Sequence, residues 1–187
     1  MTTGRIAAAA FLAMLSPAAA APSLTVVGVA GNDTLNLRAA PDAKAAKVGA
    51  LGAHATGITI TDTNANGWVK VAKGGQEGWV NAKFLSYENG APVALTCSGT
   101  EPFWSIRISY GGADVDFSAM DAGKRRITLA PPESAAGRPY PWLFQGGDKG
   151  GSFIVIDRTT CSDGMSDRSY DYAVTASIAG HFVSGCC

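Results

Sequence analysis

The residues best suited to chemistry form a polar cluster around Gly164, in the last third of the chain. The cluster contains Asp163, Asp167, Arg168, Tyr170 and Asp171. A carboxylate pair such as Glu101 and Asp163 hydrolyses glycans only when the fold sets the two groups at the required separation. Carboxylates in a glycine turn also bind calcium, but their spacing here does not fit an EF-hand loop. We therefore expect no metal at this cluster.

Three roles remain open for the same cluster. The first is a purely structural loop, which we favour. The second is a loop that is locked because Arg168 pairs with Glu101 or Asp167. The third is a recognition loop in which the polar side chains act beside Trp104 and Tyr170.

Other catalytic arrangements are missing from the sequence. The two histidines, His54 and His181, fall in different halves of the chain, and we expect His181 to be exposed at the tip of the last hairpin, near Gly180. The nucleophile-elbow pattern Gly-x-Ser-x-Gly is absent, and no glycine-rich stretch has the Lys-Ser/Thr ending of a phosphate loop. We expect neither enzymatic activity nor a cofactor.

The four cysteines predict disulfides. They are Cys97, Cys161, Cys186 and Cys187. Adjacent cysteines rarely bond to each other, so Cys97 and Cys161 are each expected to bond to one of the last two, in either combination. Neighbouring residues on a strand point to opposite faces, which predicts one bridge inside and one outside. No Cys-x-x-Cys motif favours a metal site.

The N-terminus has the features of an export signal. Arg5 precedes an uncharged apolar run at residues 6–15, and small residues follow, with cleavage expected after Ala20. The run is too short to span a bilayer, and no cysteine follows it for lipid attachment. We expect signal residues 1–20 and a periplasmic or secreted protein without a stable membrane anchor.

The elements that position these residues are predicted to be short strands. Glycine occurs 23 times and proline nine times, and period-two alternation recurs from residue 24 onward. The prediction is an all-β chain with two small domains, residues 23–88 and 92–187, joined by a polar turn. Because Lys+Arg and Asp+Glu are both 15, a basic nucleic-acid-binding face is not expected.

Four blocks in the first half carry a family resemblance. They are Leu-Asn-Leu-Arg-Ala-Ala-Pro from residue 35, Val-Gly-Ala-Leu from 48, Asn-Gly-Trp-Val-Lys-Val from 66 and Gly-Trp-Val-Asn-Ala-Lys-Phe-Leu from 78. In order and spacing they resemble a bacterial SH3-like (SH3b) domain. The resemblance implies a small bent β-barrel that binds peptidoglycan in cell-wall hydrolases. His54 departs from the pattern, because the family usually has a turn glycine there.

The side chains of this first domain leave two interpretations open. Trp68 and Trp79 each follow a glycine turn, and we expect each ring to be clamped against the barrel, where it buries a large apolar area. The alternative is a partly exposed aromatic groove for a peptide or glycan, lined also by Asn36 and Arg38. Arg38 is equally suited to fixing the turn before Pro41.

The second half resembles a family of uncharacterised bacterial envelope proteins and lipoproteins. The resemblance rests on Gly-Thr-Glu-Pro-Phe-Trp from residue 99 and Cys-Ser-Asp-Gly-Met-Ser-Asp from residue 161. It implies a disulfide-tied antiparallel β-barrel or sandwich, and no chemistry. A fainter similarity of plan exists to small envelope barrels that inhibit lysozymes.

These observations predict an exported envelope binding protein, expected to be a monomer. The first domain would contact peptidoglycan or an envelope protein. The alternative role is an inhibitor or accessory subunit of a cell-wall hydrolase, and a glycan hydrolase is the weaker alternative.

Overall fold

The structure is a computed structural model that describes residues 22–63, 67–110, 114–146 and 151–187. The predicted export signal and its cleavage site lie outside these residues. Within the described ranges the chain forms eighteen strands, β1 to β18, and one short 3₁₀ helix. The prediction of an all-β protein is confirmed. No helix in this part of the chain has the length and apolarity that a membrane span requires.

The first half forms a five-stranded antiparallel sheet in the order β3-β2-β6-β5-β4. Its strands are β2 (Thr34–Arg38), β3 (Lys47–Gly52), β4 (Thr59–Thr63), β5 (Trp68–Lys73) and β6 (Gln76–Asn81). The 3₁₀ helix (Ala82–Phe84) follows, and β1 (Leu24–Val26) pairs with β7 (Leu85–Tyr87). Alternate residues of β2, β5 and β6 are buried, so Leu37, Val69 and Val80 form the core while their neighbours face outward.

The second half forms a nine-stranded antiparallel sheet in the order β11-β10-β9-β8-β18-β17-β14-β13-β12. Its strands are β8 (Leu95–Thr100), β9 (Phe103–Ser109), β10 (Asp114–Ala119), β11 (Gly123–Ile127), β12 (Glu133–Ser134), β13 (Trp142–Gly146), β14 (Ser152–Asp157), β17 (Ala173–Ile178) and β18 (His181–Cys186). A small hairpin, β15 (Cys161–Ser162) and β16 (Ser169–Tyr170), stands apart from the sheet.

This large sheet curls into a half-barrel. The chain that follows β11 returns to the end of β13, where Leu129 bridges Gly146 and the Ala130 amide donates to the Gln145 carbonyl (2.8 Å). The inner face carries alternate apolar residues, among them Ile106 and Ile154, which are fully buried. In β9 the residues Trp104, Ile106 and Ile108 alternate with exposed residues and form its inner face.

The joint between the halves differs from the polar turn that the sequence predicts. Tyr87 and Ala91 are buried and belong to the same apolar cluster as the cores of both sheets. Burial raises the pKa of the Tyr87 hydroxyl to about 12. Asn89 fastens the joint, since its side-chain amide donates to the Pro132 carbonyl (2.9 Å) and its own carbonyl accepts from Trp142 Nε1 (3.1 Å). The buried Tyr87 and Ala91 therefore join the cores of the two halves, and Asn89 ties the joint to the second half.

Candidate functional site

A groove on the first half brings together three of the predicted binding residues. Asn36, Arg38 and Trp68 line a cavity of about 270 Å³. Leu35 and Leu37 point into the core, so the alternation of β2 turns Asn36 and Arg38 to the outer face. The same alternation in β5 turns Trp68 outward, where it is half-buried.

Three further lining residues were not predicted from the sequence. Asp33, Asn81 and Phe84 complete the polar and aromatic walls of the groove. Asn81 pairs directly with Trp68 across β5 and β6, so the two side chains share a face. That signal was present in the sequence, because Asn81 lies two residues beyond Trp79 on a strand of period two. The groove combines hydrogen-bonding groups with two aromatic rings, a composition that suits a peptide or glycan ligand.

Arg38 lines the groove and also bonds to the loop that contains Pro41. Its Nη1 donates to the Ala45 carbonyl (3.0 Å), and the Ala39 amide donates to the Ala46 carbonyl (2.9 Å). These bonds close the loop that contains Pro41. A guanidinium has five N–H donors, so this one bond does not use up its hydrogen-bonding capacity.

Trp79 lies elsewhere on the same outer face. It pairs with Lys70 on β5 and with Arg38 on β2, and it does not line the groove. Neither tryptophan is part of the buried core, which Val69, Val71 and Val80 supply instead. Both rings are half-buried on the outer face of the sheet, so the expected clamping against the barrel is met only in part, and neither ring is in the core.

The polar cluster of the second half is a self-bonded loop. The carboxylate of Asp163 accepts hydrogen bonds from the amides of Met165 (3.0 Å) and Ser166 (2.9 Å), from the Ser166 hydroxyl (2.9 Å) and from Tyr170 Oη (3.1 Å). These donors, led by the Ser166 and Met165 amides, lower the pKa of Asp163 to about 2. The side chain therefore braces the loop between β15 and β16.

Glu101 and Asp163 do line one cleft, of about 490 Å³, together with the Cys161–Cys186 bridge. A glycan-cleaving pair needs one carboxyl group that holds a proton near neutral pH. Asp163 cannot be that group, because its pKa is far below neutrality and its oxygens already accept four donors. Hydroxyl-bearing residues, among them Ser98, Thr175 and Ser184, line the cleft together with small and apolar residues.

Arg168 does not pair with either predicted carboxylate. Its guanidinium lies over the Tyr170 ring (5.7 Å to the centroid), and its amide donates to the Ser166 hydroxyl (3.3 Å). Among the described residues it has no ion pair with Glu101 or Asp167. The loop is held by Asp163 rather than by an arginine–carboxylate lock.

Trp104 is separated from this cleft by the sheet itself. Its side chain is on the inner face and is 6% exposed. A Cβ atom at Gly99 or at Gly185 would lie 2.8 Å from Cζ2 of the Trp104 ring, so the ring packs flat against both glycines. The cleft lies on the outer face, where Ser98 and Ser184 point. Trp104 and the Asp163 loop therefore do not share an open site.

The disulfides take one of the two combinations that the sequence allowed. Cys97 bonds to Cys187 and Cys161 bonds to Cys186. Cys186 pairs with Ser98 across β18 and β8, which brings the next residue, Cys187, beside Cys97. Cys97 is fully buried on the inner face, while the Cys161–Cys186 bridge fastens the small hairpin to the outer face.

Neither histidine belongs to a catalytic arrangement. His54 is exposed. The prediction that His181 is exposed at a hairpin tip is wrong, because the turn falls at Ala179 and Gly180 and His181 begins β18. Its half-buried ring packs 5.6 Å from the Phe117 ring. Across the described ranges, no group of three or more His, Cys, Asp or Glu is placed to hold a metal ion.

Comparison with known families agrees with the first half of this description. Residues 33–86 match the model of the bacterial SH3 domain family. Such domains are binding modules of the cell wall or of proteins. No curated protein and no solved structure matches the chain. The predicted resemblance of residues 92–187 to an envelope family therefore stays a prediction.

Proposed function

We propose that the protein is a non-enzymatic binding protein of the bacterial cell envelope. Residues 23–88 form its SH3-like module and residues 92–187 a second domain, and residues 1–20 direct export to the periplasm or beyond. The two disulfides and the bacterial SH3 domain are consistent with an extracytoplasmic location.

The ligand of the SH3 module, in this proposal, is peptidoglycan, bound in the groove between Asn36 and Trp68. The observation that carries the proposal is the groove itself, in which an aromatic ring, two asparagines and an arginine converge on one cavity. Aromatic faces stack on sugar rings, and amide and guanidinium donors bind the hydroxyl and carboxylate groups of a glycan–peptide polymer. A peptide segment of an envelope protein is the other ligand with this chemistry.

Co-sedimentation with purified cell-wall sacculi tests the proposal. The oxidised protein is expected in the pellet, and Trp68→Ala is expected to weaken retention by roughly 30-fold, as for an interface anchor worth about 2 kcal/mol. Trp79→Ala is the matched control, because it removes a half-buried tryptophan of the same sheet outside the groove. It is expected to change retention less than about twofold.

Two results would count against the proposal. Recovery of the wild-type protein in the supernatant excludes peptidoglycan and leaves a protein segment as the ligand of the groove. Equal losses for both tryptophan variants, at unchanged melting temperature, place the binding surface outside the groove.

A further inference from the structure

Three large apolar side chains are exposed at one end of the nine-stranded sheet. We call this the turn end, where the hairpins β8–β9, β10–β11 and β17–β18 reverse direction. Phe103, Met120 and Phe182 are located there and are 57%, 80% and 74% exposed. Single exposed apolar residues are ordinary on a protein surface, but a group on neighbouring turns is not.

Register and alternation place these side chains on the outer face. Phe103 precedes the inward-pointing Trp104, and Met120 follows Ala119, which pairs with Trp104. Phe103 and Met120 therefore lie next to each other, directly beyond the last β9–β10 pair at the turn end. The β17–β18 turn lies at the same end, since Nδ1 of His181 is 3.8 Å from Oδ2 of Asp121.

Along the strands, away from the turn end, the apolar group is followed first by a row of polar side chains and then by a row of cationic ones. Ser118 on β10 pairs with Ser105 on β9 and with Lys124 on β11, which gives a first row across the three strands. At a strand rise of about 3.3 Å per residue, this row lies about 7 Å behind Phe103.

The next row is cationic and lies about 13 Å behind Phe103. Asp116 pairs in register with Arg107 and with Arg126. Both rows line a cleft of about 460 Å³.

The cleft contains more cationic side chains than carboxylates, so some of its cations have no ion-pair partner. Arg126 takes up both nearby acids, Asp114 at 3.2 Å and Asp116 at 2.9 Å. Arg107 and Lys124 are exposed, and no carboxylate of the described residues lies within ion-pair distance of either. Since the whole chain has zero net charge, this positive charge is a local concentration.

We propose that the turn end docks on the surface of a bilayer that carries anionic phospholipid headgroups. Side chains of interfacial proteins enter the headgroup and acyl boundary to a depth of about 5–10 Å, which suits Phe103, Met120 and Phe182. The phosphate layer then lies level with Lys124, and Arg107 follows one row further out, where the negative surface potential still attracts it. The surface is independent of the SH3 groove.

Vesicle flotation of the oxidised protein without its proposed export signal (residues 21–187) tests this proposal, because the apolar run at residues 6–15 would bind vesicles by itself. The probes are vesicles of phosphatidylglycerol and phosphatidylcholine (1:1) and vesicles of phosphatidylcholine alone. We expect binding to the anionic vesicles, weakened roughly 25-fold in Arg107→Gln/Lys124→Gln, at about fivefold per cation near the surface. Phe103→Ser/Phe182→Ser is expected to weaken binding at least about tenfold.

Matched controls separate docking from general surface effects. Arg158→Gln removes an exposed cation and Val48→Ser an exposed apolar side chain, both away from the turn end. Both are expected to bind like the wild type. Trp68→Ala should also bind vesicles normally, so a failure of the peptidoglycan proposal leaves this test intact.

Three results would overturn the docking proposal. The first is no more binding to anionic vesicles than to phosphatidylcholine alone. The second is equal binding by the turn-end variants and the two controls. The third is self-association that Phe103→Ser/Phe182→Ser abolishes without any vesicle binding, because the apolar group would then cover a second copy.

Discussion

Adding one methyl group at Gly99 or Gly185 tests the placement of Trp104. In either variant the new Cβ atom would lie 2.8 Å from Cζ2 of the indole, closer than carbon atoms approach in folded proteins. At Gly185 the Cβ would also lie 3.0 Å from the Ser98 carbonyl carbon, which is backbone and cannot rotate away. The Gly185→Ala variant should therefore be affected more strongly than Gly99→Ala.

The expected magnitude follows from the cost of overpacking a core. Extra methyl groups in a well-packed interior destabilise by about 1–3 kcal/mol. For a chain of this size each kcal/mol lowers the melting temperature by about 2–4 °C, so we expect decreases of roughly 2–12 °C. Urea denaturation and differential scanning calorimetry of the oxidised protein measure both quantities. Gly52→Ala is the control, because no atom lies within 4 Å of its added Cβ.

A second substitution shows whether Trp104 is the cause. Trp104→Phe removes the part of the ring that the new methyl group meets, so the combination with Gly99→Ala should cost less than the sum of the two single changes. The reasoning is refuted if Gly99→Ala and Gly185→Ala are both as stable as Gly52→Ala. Trp104 would then be an exposed ring that is free to move, as a ligand-contacting residue would be.

The remaining predictions concern the disulfides and the Asp163 loop. The two disulfides close loops with sequence separations of 90 (Cys97–Cys187) and 25 (Cys161–Cys186). In the chain-entropy model, loss of the first lowers the free energy of unfolding by about 4.6 kcal/mol and loss of the second by about 3.5 kcal/mol. Denaturation of the paired Cys→Ser variants measures both losses, and equal or reversed losses would contradict the model. The folded-state pKa of Asp163 is below its unfolded value, so its stabilisation of the loop is complete above about pH 4 and is lost as the pH falls through about 2. An NMR titration of the Asp163 carboxyl carbon is expected to show that midpoint, and a midpoint near 4 would contradict the four hydrogen bonds.

Local sequence pattern was sufficient to predict the all-β architecture. The alternation around Val69 and Val80 and the glycine turns specify strands without knowledge of their partners. The sequence pattern does not indicate strand β13 (Trp142–Gly146), because Pro141 and the glycines that follow it resemble a loop. The structure shows it paired in register with the next strand along the chain, β14.

The candidate site could be predicted only in part, because alternation identifies outward-facing strand positions but not residues outside the strands. Asn36, Arg38 and Trp68 lie on outward-facing strand positions that alternation identifies, whereas Phe84 reaches the groove from the 3₁₀ helix after β6. The burial of Trp104 depends on Gly185, a residue on a distant strand. Alternation in the sequence shows which face of the sheet a residue lies on. Contacts between residues on different strands can be predicted only when the register of those strands is known.

The proposal that the groove binds peptidoglycan is tested most directly by NMR. The signals of the four tryptophan indole N–H groups are followed while soluble peptidoglycan fragments are added. The account predicts that the Trp68 signal shifts progressively with ligand while the signals of Trp79, Trp104 and Trp142 stay in place. A shift of Trp79 or Trp104 with Trp68 unmoved, or no shift of any signal at saturating fragment, would contradict it.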